Sequence, residues 1–197
     1  LADAAEPPTE PILRIETGRH TAPIRRIATD AGSRWLATVS DDKTLRLWDL
    51  QKVSILQTLR PPIDKGNNGK LYSVAMSPDG AYVAAGGWNL WEKGSSIYVF
   101  QRDGGRLVHN ITGLPNVIYE LAWSPDGRYL AVGMGGKSGI RLFRSNDYAL
   151  VGQDRDYGSS VNGIDFDQQG RLVSSSNDGL LRLYQVSPGG LQLLNKK

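Results

Sequence analysis

A segment of about 47 residues recurs along this chain, and that recurrence restricts the possible folds more than any other feature. Four stretches align: HTAPIRRIATDAGSRWLATVSDDKTLRLWDL at 20–50, KLYSVAMSPDGAYVAAGGWNLWEKGSSIYVF at 70–100, NVIYELAWSPDGRYLAVGMGGKSGIRLFR at 116–144 and SVNGIDFDQQGRLVSSSNDGLLRLYQV at 160–186. Trp35, Tyr82 and Tyr129 hold the same place, each 47 residues after the last. The fourth copy comes slightly sooner.

Each copy reads as short strands with a period of two. An inner strand alternates (Ile24–Ile27, Leu71–Val74, Ile118–Leu121, Val161–Ile164). A small, apolar second strand follows (Trp35–Thr38, Tyr82–Ala85, Tyr129–Val132), and a third alternates again (Leu45–Trp48, Ile97–Phe100, Ile140–Phe143, Leu181–Tyr184). Between copies lies a more polar fourth strand: Val53–Leu59, Arg106–Thr112, Tyr148–Gly152 and Leu191–Leu194. SPDG at 77–80 and 124–127 suits the turn between first and second strands. Pro presets φ, Asp bonds nearby backbone and Gly accepts the left-handed conformation. No helical periodicity competes. The fold class expected is all-β: blades of four antiparallel strands, each too small to bury both faces alone and so stacked on its neighbours.

Composition excludes several alternatives. Hydrophobic residues are 40% and charged residues 22%, enough to build a core and far from the balance of disorder. Cysteine is absent, which removes disulfides, thiolate nucleophiles and thiolate metal sites. Net charge is only +3, and the arginines Arg14, Arg19, Arg25, Arg26 and Arg34 form a modest cluster, so no nucleic-acid partner is expected. No apolar run approaches the roughly 18 residues that span a bilayer, so no membrane partner is expected either. Residues 1–11 are rich in Ala, Glu and Pro and read as a flexible lead-in. Ala2-Asp3-Ala4 has the small-x-small pattern of a signal-peptidase site. A mature exported, periplasmic end and an arbitrary boundary are both compatible with it, and export is favoured.

The repeats resemble the WD40 family over about residues 12–194. The likeness is best kept in the first copy, where His20, Thr38, Asp42 and Trp48 fall at the positions of the family's buried hydrogen-bonded tetrad. A buried indole has one N–H to satisfy, a buried carboxylate needs several donors, and an imidazole can bridge them. The resemblance implies a structural role for all four. Later copies depart from it: Phe100, Phe143 and Tyr184 replace the Trp, and Tyr157 stands where His20 would, with Ser174 and Asp178 kept. The expected organisation is a WD40 β-propeller segment at 12–197, with blades at 20–59, 70–112, 116–153 and 160–194. A lone N-terminal strand at 12–16 ("ILRIE") takes the position where the family often closes its ring. Members commonly close a ring of about seven blades, so four copies imply a half or partial propeller. An open arc would expose apolar faces and sheet edges. A second half-propeller chain or a homodimer is the expected completion. Diverged copies carrying SPDGRYLA and DDKTLRLWDL read as bacterial.

No catalytic constellation is present. His20 and His109 lack metal-ligand spacing. GGKSG at 135–139 has Ala131 where a phosphate loop needs Gly, and a strand follows rather than a helix. DRDYG at 154–158 falls far short of a calcium loop. No metal, cofactor or enzymatic activity is expected. Aligning the inner strands instead puts Arg25, Tyr72, Tyr119 and Asn162 around the channel mouth, a set of residue types suited to recognition. The second copy has an enlarged loop, GGWNLWEKGSS at 86–96, whose Trp88 and Trp91 either pack internally or add to that face. The function expected is a non-catalytic module that binds a protein or peptide. The alternatives are a regulatory portion of a larger bacterial peptidase or kinase, and a propeller enzyme whose site lies in a missing half.

Overall fold

The computed structural model describes residues 10, 13, 15–89 and 94–197. They form sixteen strands in four antiparallel sheets, each a meander in chain order. The first sheet is β1 (Ile24–Thr29), β2 (Trp35–Ser40), β3 (Leu45–Asp49) and β4 (Ser54–Leu59). The second is β5 (Lys70–Met76), β6 (Tyr82–Trp88), β7 (Ser95–Gln101) and β8 (Leu107–Leu114). The third is β9 (Ile118–Trp123), β10 (Tyr129–Met134), β11 (Ile140–Arg144) and β12 (Leu150–Asp154). The fourth is β13 (Val161–Phe166), β14 (Leu172–Ser176), β15 (Leu181–Ser187) and β16 (Gly190–Lys196). The fifteen repeat strands read from the sequence are all present, with bounds shifted by a few residues, and β14 adds the second strand of the fourth copy, which the sequence reading did not assign. The exception is the expected lone strand at 12–16. Leu13, Ile15 and Glu16 carry no strand, and Ile12 and Arg14 lie outside the described residues, as does most of the 1–11 lead-in.

The turns form for the reasons their sequences give. Asp79 Oδ1 accepts from Ser77 Oγ and the Ala81 N–H, while Gly80 sits at φ +74°. Asp126, Ser124 and Gly127 (φ +72°) repeat the arrangement. Asp49 ends β3 and accepts the N–H groups of Gln51 and Lys52, which sets the tight connection to β4.

Sheets stack in chain order, β1 and β2 on β5, β5 and β6 on β9, β9 and β10 on β13. One apolar cluster fills each gap. Ala37, Val39, Leu45 and Leu47 meet Val74, Val83, Tyr98 and Phe100. Ala84, Ile97 and Val99 meet Leu121, Leu130, Val132 and Phe143. Ala131, Ile140 and Leu142 meet Ile164, Leu172 and Tyr184. Each fully buried Leu or Ile contributes about 2 kcal/mol. Among the described residues, the first sheet's upstream face and the fourth sheet's downstream face belong to no such cluster. Ile27 is 61% exposed, whereas its equivalents Val74, Leu121 and Ile164 are 2%, 4% and 8% exposed. Leu181 is 56% exposed, whereas Leu45, Ile97 and Ile140 are 0%.

Candidate functional site

The four inner strands begin at one mouth, and each is irregular at the same place. In β1 the pairing jumps from Ile24↔Ser40 to Arg26↔Val39, leaving Arg25 as an extra residue. Tyr72 is the extra residue between Leu71↔Gly87 and Ser73↔Gly86. Tyr119 is extra between Ile118↔Met134 and Glu120↔Gly133, and Asn162 between Val161↔Ser176 and Gly163↔Ser175. A β-bulge bends its strand and re-aims one side chain. Here four bulges in register bring four side chains to one opening. Arg25, Tyr72, Tyr119 and Asn162, with Arg26 and Trp88, line a cavity of ≈ 440 Å³.

The side chains form a ladder across the mouth. Arg25 makes a bidentate pair with Asp41, Nε to Oδ1 at 2.8 Å and Nη2 to Oδ2 at 2.6 Å. Its guanidinium lies 5.5 Å from the Tyr72 ring centre, and Tyr72 stacks on Tyr119 at 6.1 Å and 11°. Asn162 donates to Asn177, the residue equivalent to Asp41 in the fourth copy. Burial, then the nearby Asp41 charge, raises the Tyr72 phenol, so it stays a neutral O–H donor. Beneath the ladder Arg26 pairs with Glu120 of the third sheet, and both line a narrower cavity of ≈ 270 Å³ between the inner strands. Burial pushes the Glu120 carboxyl up to about 7, against the opposing pull of Arg26.

Trp88 closes β6 instead of standing in a loop. Gly86, Gly87 and Trp88 continue the strand that the sequence reading ended at Ala85, and Trp91 lies outside the described residues. The glycines carry a reason. A Cβ on Gly86 would sit 2.9 Å from Ile118, and one on Gly133 2.9 Å from Val161, so each lets the next inner strand start close by. Sequence reading placed the ladder residues but missed the bulges and the Arg26–Glu120 pair. The detectable signals were GG at 86–87 opposite Leu71 and opposite charges at equivalent inner-strand positions.

A larger cavity of ≈ 750 Å³ opens between the second and third sheets, lined by Asp79, His109, Trp123, Asp126, Asp147 and Tyr148 among others. Its carboxylates are engaged in their own turns, Asp79 with Ser77, Asp126 with Arg128 and Asp147 with Arg144. The mouth gathers equivalent positions from all four sheets, so it is the stronger candidate.

The first-copy tetrad is assembled as a relay. Trp48 Nε1 donates to Thr38 Oγ1 at 3.0 Å, Thr38 meets His20 Nε2 at 2.7 Å, and His20 Nδ1 meets Asp42 at 2.9 Å. Burial alone would raise the Asp42 carboxyl. Donors from His20, Thr44 and the Thr21 N–H outweigh it and hold the group well below the usual carboxylate range. An ionised Asp42 fixes the proton on Nδ1 and leaves Nε2 to accept from Thr38. The fourth copy builds the relay from other parts. The Tyr157 hydroxyl bonds Ser174 Oγ at 2.5 Å and the Tyr184 hydroxyl at 2.9 Å. Asp178 takes Arg182 at 2.8 Å, and that guanidinium lies 3.9 Å from the Tyr157 ring centre. In both copies the relay ties the segment before the inner strand to the turn after the second strand. No group of three or more His, Asp or Glu among the described residues lies together as metal ligands.

A family model described as "WD domain, G-beta repeat" matches residues 12–49, 55–90, 105–144 and 150–185. Among curated proteins, the chain is similar to "Protein HIR1" of Cryptococcus neoformans var. neoformans serotype D, 31% identical over 67 residues, 34% of this chain and 8% of that one. It is 34% identical over 80 residues to "Protein hir1" of Schizosaccharomyces pombe, 39% of this chain and 8% of that one. It is 29% identical over 79 residues to "Small ribosomal subunit protein RACK1y" of Oryza sativa subsp. japonica, 38% of this chain and 22% of that one. The matched stretch thus spans under a quarter of each relative's length. These relatives are fungal and plant, and they do not bear out the expected bacterial origin.

Proposed function

The chain belongs to the WD40-repeat family, and from that membership we propose that it is a non-catalytic scaffold that docks a protein or peptide at the channel mouth. The observation that supports this most is the coincidence of four bulges, one per sheet, on four side chains that share one cavity. Neighbouring aromatic rings with a guanidinium beside them suit an extended segment, because Tyr and Arg offer large contact area with donors at the rim. The two open sheet faces take further blades of the same kind. The upstream face of the first sheet is the type that packs onto a preceding blade, and the downstream face of the fourth is the type that receives one. A second half-propeller, from this chain's own further length, another chain or a second copy, fits both. The partner is a protein or peptide, with neither nucleic acid nor membrane required.

Peptide display against the folded protein, counter-selected on Tyr72→Ala/Tyr119→Ala, tests the docking reading. Enriched peptides should lose at least tenfold in affinity for the double variant while its melting temperature stays close to the parent's. Peptides that bind parent and variant equally would place docking elsewhere. Trp88→Ala extends the test to the edge of the cavity.

A further inference from the structure

We propose that the segment taken at the channel mouth is acidic, and that its carboxylate is received by Arg25 and Arg26 with its chain lying against Tyr72, Tyr119 and Trp88. This rests on the docking reading above and adds the chemistry of the ligand.

The lining carries the argument. Two guanidiniums face the cavity, and guanidinium is donor-only at every pH a protein meets. Tyr72, Tyr119 and Trp88 add phenol and indole donors. Among the described residues no carboxylate lines the cavity. Asp41 and Glu120 pair with the two arginines and hold them in place. Lys70 Nζ lies 4.0 Å from the same Asp41 carboxylate, so Asp41 serves two cations at the rim, Arg25 and Lys70. A basic segment would set cation against cation, and an uncharged one would offer only carbonyl acceptors, which a guanidinium holds more weakly than a carboxylate. An acidic side chain completes the set, since a guanidinium already paired on one edge presents its remaining N–H groups to a second acceptor.

The arrangement of the two arginines favours a peptide over a free small anion. Arg25 stands at the rim beside the Tyr72–Tyr119 stack, while Arg26 reaches down to the narrower cavity between the inner strands. A ligand that meets both must have length as well as charge. The aromatic stack offers that length an apolar surface, and stacking beside a cation adds to it.

The test uses a fluorescein-labelled octapeptide of alternating Glu and Leu, its counterpart with Gln for every Glu, and a counterpart with phosphoserine for every Glu. Anisotropy is read with the whole chain at low and physiological salt. The Glu peptide should bind at least tenfold tighter than the Gln peptide, and the gap should narrow as salt rises. Arg26→Gln should remove most of that gap. Arg26→Gln/Glu120→Gln should do the same without leaving Glu120 unpaired, which separates lost recognition from damaged folding. Equal binding of Glu and Gln peptides, both weakened by Tyr72→Ala/Tyr119→Ala, would overturn the acidic assignment and leave docking intact. Binding of the phosphoserine peptide alone would overturn the carboxylate assignment. A Glu preference that survives both Arg26 variants and Arg25→Gln would place the anion elsewhere and overturn the proposal.

Discussion

Leu45 and Leu181 occupy the same position in equivalent strands, yet one is sealed and the other is 56% exposed. Ile27 and Val74 differ in the same way. Residue type does not explain this, because all four are apolar. The neighbour does: the inner faces each have a sheet against them, and the two end faces belong to no core cluster. The lesson is that stability here is divided among interfaces between sheets instead of being stored in one core. The end faces are where the fold is unfinished in energetic terms.

The largest expected effect breaks that comparison directly. Leu45→Ala should cost about 3 kcal/mol in chemical denaturation, whereas Leu181→Ala should cost less than about 1 kcal/mol. Equal costs would mean that the fourth sheet's outer face is covered in solution.

That difference also shows how much the sequence discloses. The strands, the meander and the stacking were legible, because period-two alternation and SPDG turns are local signals. The positions of the mouth residues were legible by alignment alone. What escaped was set by pairing between strands. A bulge at Tyr72 depends on how β5 meets β6, and the Arg26–Glu120 pair joins residues 94 apart in sequence. Trp88 reads as a loop residue because GGWNLWEKGSS is longer than the equivalent turn of the first copy, whereas Gly86 and Gly87 extend the strand by admitting Ile118 and the β5 backbone.

The relays give the next comparison, since one lies on an open end face and the other in a gap. His20→Ala should cost about 2 kcal/mol, because Asp42 and Thr38 both lose their bridge. Tyr157→Phe should cost about 1 kcal/mol, because the ring stays beneath Arg182 and only the hydroxyl contacts to Ser174 and Tyr184 go. Thermal melts of the two single variants and their combination should give additive losses, as the sites share no partner. Trp48→Phe, which copies Phe100 and Phe143, should cost about 1 kcal/mol or less. A loss as large as that of His20→Ala would show that the indole anchors the relay.

Glu120 gives a small effect and a clear sign. Its carboxyl is raised from 4.5 to about 7 in the folded chain, chiefly by burial, so the folded state holds its proton more tightly than the unfolded one. The associated stability is full below about pH 4.5 and is lost as pH rises through 7. With allowance for solvent in the channel, the loss is about 1 kcal/mol. Melting temperatures between pH 5 and 8 should fall in the parent and flatten in Glu120→Gln; parallel curves would show that Glu120 does not titrate in this range.

The most direct test of the open end faces is the mass of the purified chain in solution by sedimentation equilibrium. The account predicts species heavier than 21.5 kDa that dissociate when a charge replaces Leu181 or Ile27. A stable, non-aggregating monomer of 21.5 kDa across the concentration range would contradict it.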